Sequence, residues 1–189
     1  WLFFLRRWHW SACCLISFAM VRHLSVIKAS PPTSPLLKRY VDCFYVYEGQ
    51  AGSRFQYLAF PHYNTGLSFF LGTFVQRGLW SLEFSENAEC EVHIEVLGKY
   101  LCPLCIEYTG KVREISIVFK PMGLNRFIRQ DYLSAAPGFS QQFKNSEWCQ
   151  LGATLFAAHS GLETLETFLL SQFADNHELN LLEDSLKWL

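Results

Sequence analysis

Between residues 40 and 120 the chain passes through one strand-like run after another, with turn residues between them and no stretch of helical periodicity of crossover length. Parallel neighbours need a long crossover, usually a helix, so this pattern predicts antiparallel pairing. About seven short strands at regular spacing predict a sandwich or a barrel. The runs are 40–47, aromatic and β-branched; 55–60; 66–75, after the break Pro61-His-Tyr-Asn-Thr65; 90–96; 100–108, interrupted by Pro103; and 112–119. In the fourth, Cys90, Val92, Ile94 and Val96 alternate with Glu91, His93 and Glu95. In the last, Ile115, Ile117 and Phe119 alternate with Ser116 and Val118.

After Lys120 the period changes to that of helices. Residues 121–129 open with a proline suited to a first turn and put Leu124, Phe127 and Ile128 on one stripe. Ala136-Pro-Gly138 breaks the pattern. A second helix is predicted over 147–158, with Trp148, Leu151 and Leu155 on its face, and a third from Gly161, with Leu162, Leu165, Phe168, Leu169 and Phe173 in step. A fourth, from His177, carries Leu179, Leu182, Leu186 and Leu189. That stripe reads either as the edge of the core or as a helix that continues or dimerises.

Half of the 189 residues are hydrophobic and 17% are charged, which excludes a disordered segment and a coiled-coil rod. The length suits one domain, or one domain with an appended subdomain. A formal charge of −1 argues against a free-standing nucleic-acid binder. All 17 acidic residues lie at or after Asp42, and the first 41 positions carry six Lys or Arg. Beyond residue 144 the only basic side chain is Lys187, against seven acidic ones.

The first residues form a basic, apolar leader. Its run over 10–21 is too short to span a bilayer, which takes about 20 residues. A signal peptide fits the length better, yet no clear small-x-small site follows. The expectation is that folding begins near Pro35 and that residues 1–19 are a fragment edge or upstream translation. Seven cysteines are an odd number for a disulfide scaffold, and reduced cysteines favour the cytoplasm. Cys102-Pro-Leu-Cys105 lacks the second ligand pair that a structural zinc site needs.

Only one cluster in the β region resembles chemistry. Glu91, His93 and Glu95 project from one strand face at steps of about 7 Å, as a metal or acid/base site would require. The preferred reading is a solvated face opposite an apolar one. His62, beside Tyr63 and Asn64, reads first as a turn residue. No phosphate cradle or nucleophile elbow is present in the sequence.

With these parts assembled, the chain resembles the amino-terminal domain of AraC-type transcriptional regulators, in the branch with a cupin-like sensor. The residues that carry the resemblance are Tyr40-Val-Asp-Cys-Phe-Tyr45 in the first strand and Pro61-His-Tyr-Asn-Thr-Gly-Leu-Ser-Phe69 at a turn into an apolar strand. To these are added Phe119, Pro121, Gly123, Arg126 and Phe127, a helix led by Trp148, and Leu165-Glu-Thr-Phe-Leu-Leu170. Coverage runs from about residue 31 to 189, and the stretch 119–127 is the most specific part.

The resemblance implies an α+β fold: an antiparallel cupin-like β-barrel followed by a small C-terminal helical subdomain. Residues 1–30 would be a leader, 31–120 the β-barrel sensor and 121–189 the helical subdomain with the start of a linker helix. It implies a regulatory domain that senses a small-molecule effector, forms a homodimer, and controls DNA through a helix-turn-helix domain absent from these residues. No enzymatic activity, no membrane partner and no cofactor is expected, since the usual cupin metal pattern of two nearby His and a following Glu is missing. Tyr45, His62, Phe69, Trp80 and Phe119 are candidate ligand contacts, with core packing the alternative for the aromatics. Leu179, Leu182 and Leu186 are candidates for the dimer interface. Two other readings stay open: a cupin-type metalloenzyme using Glu91, His93, Glu95 and His62, and a free-standing protein-interaction module.

Overall fold

A computed structural model describes residues 27–89, 91–98, 100–128, 139–157, 161–175 and 179–181. The fold is α+β, with mostly antiparallel sheets. In chain order its elements are β1 (Lys28–Ser30), α1 (Leu37–Tyr40), β2 (Val41–Glu48), β3 (Arg54–Ala59), β4 (Thr65–Leu71), β5 (Thr73–Arg77), β6 (Ser81–Glu86), β7 (His93–Leu97), β8 (Leu104–Thr109) and β9 (Arg113–Phe119). A 3-10 turn at Gly123–Arg126, β10 (Ser140–Gln142), α2 (Ser146–Ala157) and α3 (Gly161–Gln172) follow. Paired structure starts at Lys28, ahead of Pro35. The leader before it lies outside the described residues.

Two sheets form, ordered β1-β2-β9-β4-β7-β10 and β3-β8-β6-β5. They face each other as a sandwich, and among the described residues no ladder joins their edges into one barrel. The chain alternates between them. β4 and β5, read from sequence as one strand, are separated at Gly72, whose φ of +60° lets the chain turn into the other sheet. The expectation of antiparallel pairing fails at one place, where β6 and β8 run parallel. Their connection is β7, which lies in the opposite sheet, so a strand supplies the crossover that a helix usually provides.

The large sheet has one face under the helices. Phe44, Leu67, Phe69, Ile94, Ile117 and Phe119 form a core there with Trp148, Leu155, Leu165 and Leu169. Each such side chain contributes about 1.5–3 kcal/mol by leaving water. Trp148 stacks parallel to Phe69, with centroids 6.2 Å apart. α2 comes close to β4 because it carries Gly152, where an added Cβ would lie 2.6 Å from Val92. The predicted helix over 121–129 is only the 3-10 turn, because Met122 before it is left-handed, with φ 61°. A second core between the sheets holds Tyr47 and Phe70 from the large sheet against Phe55, Leu82, Phe84 and Tyr108 from the small one.

Candidate functional site

Side chains on a strand alternate between faces, so the strands that send Ile115, Ile117, Leu67, Phe69, Ile94 and Val96 to the helices send other residues between the sheets. Beside Tyr47 and Phe70, several of those residues are polar. Tyr45 is paired with Ser116, Ser116 with Ser68, Ser68 with Glu95, and Glu95 with Gln142. A polar row therefore crosses five strands of the large sheet, with Glu114 and His93 one step along on the same face.

Two carboxylates anchor this layer, and both are 2% exposed. Glu114 accepts from the hydroxyls of Tyr45 at 2.7 Å, Tyr108 at 2.7 Å and Ser116 at 2.6 Å. Tyr108 belongs to the small sheet, so this carboxylate ties the two layers together. The Ser116 hydroxyl is in turn 2.5 Å from that of Ser68. Glu95 pairs with Arg77 from the small sheet, accepts from Ser140, and lies 2.5 Å from Nε2 of His93. The Gln142 amide is 3.1 Å from Nδ1 of the same imidazole, which directs the Nε2 proton to Glu95. The solvated face expected for Glu91, His93 and Glu95 is thus corrected. Glu91 is exposed, but Glu95 is buried because a second sheet lies where water was expected.

Burial raises the pKa of Tyr45 and of Tyr108 well above the ordinary value, and the neighbouring Glu114 raises both further. The two phenols therefore remain donors. A cleft of about 360 Å³ opens beside Glu114, lined also by Val46, Tyr47, Ile115, Leu155 and Leu162. At its rim Arg113 lies 3.9 Å from Glu48. The layer combines hydroxyl donors, carboxylate acceptors and the Arg77 cation, which bond one another across the sheets. Among the described residues no group of three or more His, Cys, Asp or Glu is placed to hold a metal ion.

The residues singled out in sequence do not come together. Tyr45 joins the polar layer through Glu114. Phe69 and Phe119 are fully buried on the helix side of the sheet. Trp80 is half exposed and stacks on Phe139, with centroids 6.4 Å apart. His62 is exposed, and its Nδ1 accepts from the Asn64 amide. Leu179 is half-buried, and Leu182 and Leu186 lie outside the described residues. Reading the sequence missed Glu114, Ser68, Ser116, Arg77 and Tyr108. The available signal was one polar residue recurring inside otherwise apolar strands.

The stretch that carried the family resemblance proves to be packing. Gly123 sits where any Cβ would be 2.2 Å from the Tyr40 carbonyl oxygen. Arg126 is fully buried, lies 5.2 Å from the centre of the Tyr40 ring, and donates to Asn180 at 2.7 Å. Phe127 fills the core beside Phe119.

Residues 29–134 match the family described as Domain of unknown function (DUF6597). The matched segment runs from β1 past the 3-10 turn and so includes both buried carboxylates. No curated protein matches the chain.

Proposed function

This chain belongs to the DUF6597 family, and from that premise we propose that it is the ligand-sensing and dimerisation domain of an AraC-type transcriptional regulator. The reading is of a binding domain without catalysis or cofactor, working in the cytoplasm, whose two sheets form a flattened cupin-like body. Its output is DNA binding by helix-turn-helix units, which are not among these 189 residues. The observation that carries the proposal is the polar layer. Burying two carboxylates between sheets is expensive, and an apolar filling would hold the sandwich together at lower cost. Polar groups kept in such a place are candidates for recognition. A small molecule bound in the cleft beside Glu114 contacts the edge of that layer on the large sheet and the two helices at once. It shifts dimer geometry only by binding two arrangements of the domain unequally. The stripe that begins at Leu179 is the proposed start of the dimer contact.

The test joins two measurements. Thermal denaturation of wild type and Glu114→Gln is followed against a panel of sugars, amino acids and amines, and dimerisation is followed by sedimentation with and without each hit. The expected outcome is a compound class that raises the wild-type Tm, shifts its association, and loses both effects in Glu114→Gln. A flat response across the panel from a protein that stays monomeric would sink the reading.

A further inference from the structure

Three loops converge at one end of the sandwich. β3 stops at Ala59, opposite Leu104, and the chain enters the large sheet at Thr65, opposite Phe119. The turn from β5 to β6 ends at Ser81, which pairs with Cys105, and the segment from β7 to β8 arrives at Leu104. Cross-links hold these loops together. The Tyr100 hydroxyl donates to the Phe60 carbonyl at 2.9 Å, and the Cys105 amide donates to the Trp80 carbonyl at 2.9 Å.

The loop tips are apolar and exposed: Tyr63 at 91%, Leu101 at 90%, Leu79 at 81%, Phe60 at 49% and Trp80 at 48%. Single exposed hydrophobes are ordinary on a protein surface, but five on three adjoining tips mark an interaction site. The charges around them narrow the partner. Residues 49–82 and 96–106 contain no Asp or Glu. At the same end, Lys38 and Arg39 lie just before β2 and Lys120 just after β9, whose terminal residues Val41 and Phe119 are paired. Lys38 and Arg39 are exposed, and the Lys120 ammonium donates to the Lys38 carbonyl at 2.6 Å. Two carboxylates stand near them: Asp42, 3.4 Å from the Asn64 amide, and Glu166, which is held by Thr33 and Ser34 and feels the Lys38 charge.

We infer that this end of the sandwich docks on the surface of an anionic lipid bilayer. Separate protruding tips carrying Trp, Tyr, Phe and Leu suit a deformable headgroup region, where aromatic side chains keep an apolar body and a polar handle. Lys38, Arg39 and Lys120 then face the lipid phosphates, each adding attraction that salt screens. Among the described residues no helix is long and apolar enough to cross a membrane, and the contact inferred is peripheral.

Flotation of the full chain with vesicles tests this, using phosphatidylcholine with and without phosphatidylserine. The wild type is compared with Tyr63→Ser/Leu79→Ser/Leu101→Ser, and both keep the apolar leader, so its contribution cancels. The wild type is expected to float with the anionic vesicles and the triple variant at least about tenfold less, since loss of even one fully inserted apolar side chain is worth about 1.5 kcal/mol. Lys38→Glu/Arg39→Glu is expected to reduce flotation at low salt only, and it serves as a second probe should the triple variant misfold. Equal flotation of all three proteins, or none by the wild type, overturns the inference. So does loss of self-association in the triple variant with flotation unchanged, which would assign the tips to a second copy of the chain.

Discussion

The two faces of the six-stranded sheet are cut from the same strands and both carry buried residues, yet they differ in make-up. β9 turns Ile115, Ile117 and Phe119 toward the helices and Glu114 and Ser116 toward the other sheet. β4 and β7 divide in the same way, with Leu67, Phe69, Ile94 and Val96 on one side and Ser68 and Glu95 on the other. The apolar face explains why the domain folds. The polar face adds to the cost of folding, and the proposed recognition role gives these groups a reason to be kept. Stability should therefore respond most to the helix face, and recognition to the inner face.

The strongest way to break that division is Trp148→Ala. Trp148 is 2% exposed, stacks on Phe69, and meets Phe143 and Phe168 edge-on. Its loss is expected to cost about 3–5 kcal/mol in urea denaturation. A cost under about 1 kcal/mol would show that the helices do not close the core as described.

Next comes Glu114→Leu, which leaves three hydroxyl donors facing an apolar group. The expected loss is about 2 kcal/mol. Adding Tyr45→Phe and Tyr108→Phe should recover much of it, because both phenol donors are then replaced and the Ser116 hydroxyl keeps Ser68 as a partner. If Glu114→Leu alone is neutral in denaturation, the inner face is an ordinary core and the division fails.

How much of this was legible follows from the same contrast. The alternation in 112–119 and the helical stripes at Trp148 and Leu165 carry enough apolar residues to mark their elements, and α2 and α3 lie within a residue of expectation. β6 was missed because Leu82 and Phe84 are its only buried apolar side chains, too few for a periodic signal. β1 and β10 are three residues each, too short to show a period. The polar layer was hidden for a different reason. Periodicity reports which residues share a face, but not whether that face meets water or a second sheet. Glu91, His93 and Glu95 looked solvated on that ground, and Arg77, the partner of Glu95, lies just past the run 66–75 that was read as one strand. Gly123 and Arg126, noticed for their resemblance, signal a backbone contact and a buried cation, not a site.

A smaller effect tests a polar group on the helix side. Glu166 on α3 accepts from the Thr33 amide and hydroxyl, each at 2.6 Å, and from the Ser34 amide at 3.2 Å. Burial opposes its ionisation, but the Thr33 and Ser34 bonds, with Lys38 nearby, outweigh that and hold its pKa below the ordinary value of 4.5. A depressed folded-state pKa stabilises the fold above 4.5, and that stability is lost as pH falls through the folded value. Wild type should therefore exceed Glu166→Gln in Tm at neutral pH, with the gap closing below pH 4.5. The absence of any gap at neutral pH would mean that the amide serves as well as the carboxylate. Glu166 would then be fastening the start of the chain through geometry alone.

The smallest effect is spectroscopic and bears on the inner face without disturbing it. Tyr45 and Tyr108 are held protonated by burial and by Glu114 beyond the ordinary value of 10.0. In an absorbance titration of the native protein, Tyr45 and Tyr108 should be among the tyrosines that appear only on alkaline unfolding. In Tyr45→Phe/Tyr108→Phe that late step should shrink by two phenols. In Glu114→Gln it should move to lower pH while remaining late, since the carboxylate's repulsion is removed and burial is not. If Glu114→Gln leaves the step in place, burial alone sets the two phenols. The carboxylate would then exert no field on the groups around it, and the inner face would have lost the electrostatic character that sets it apart from the helix side.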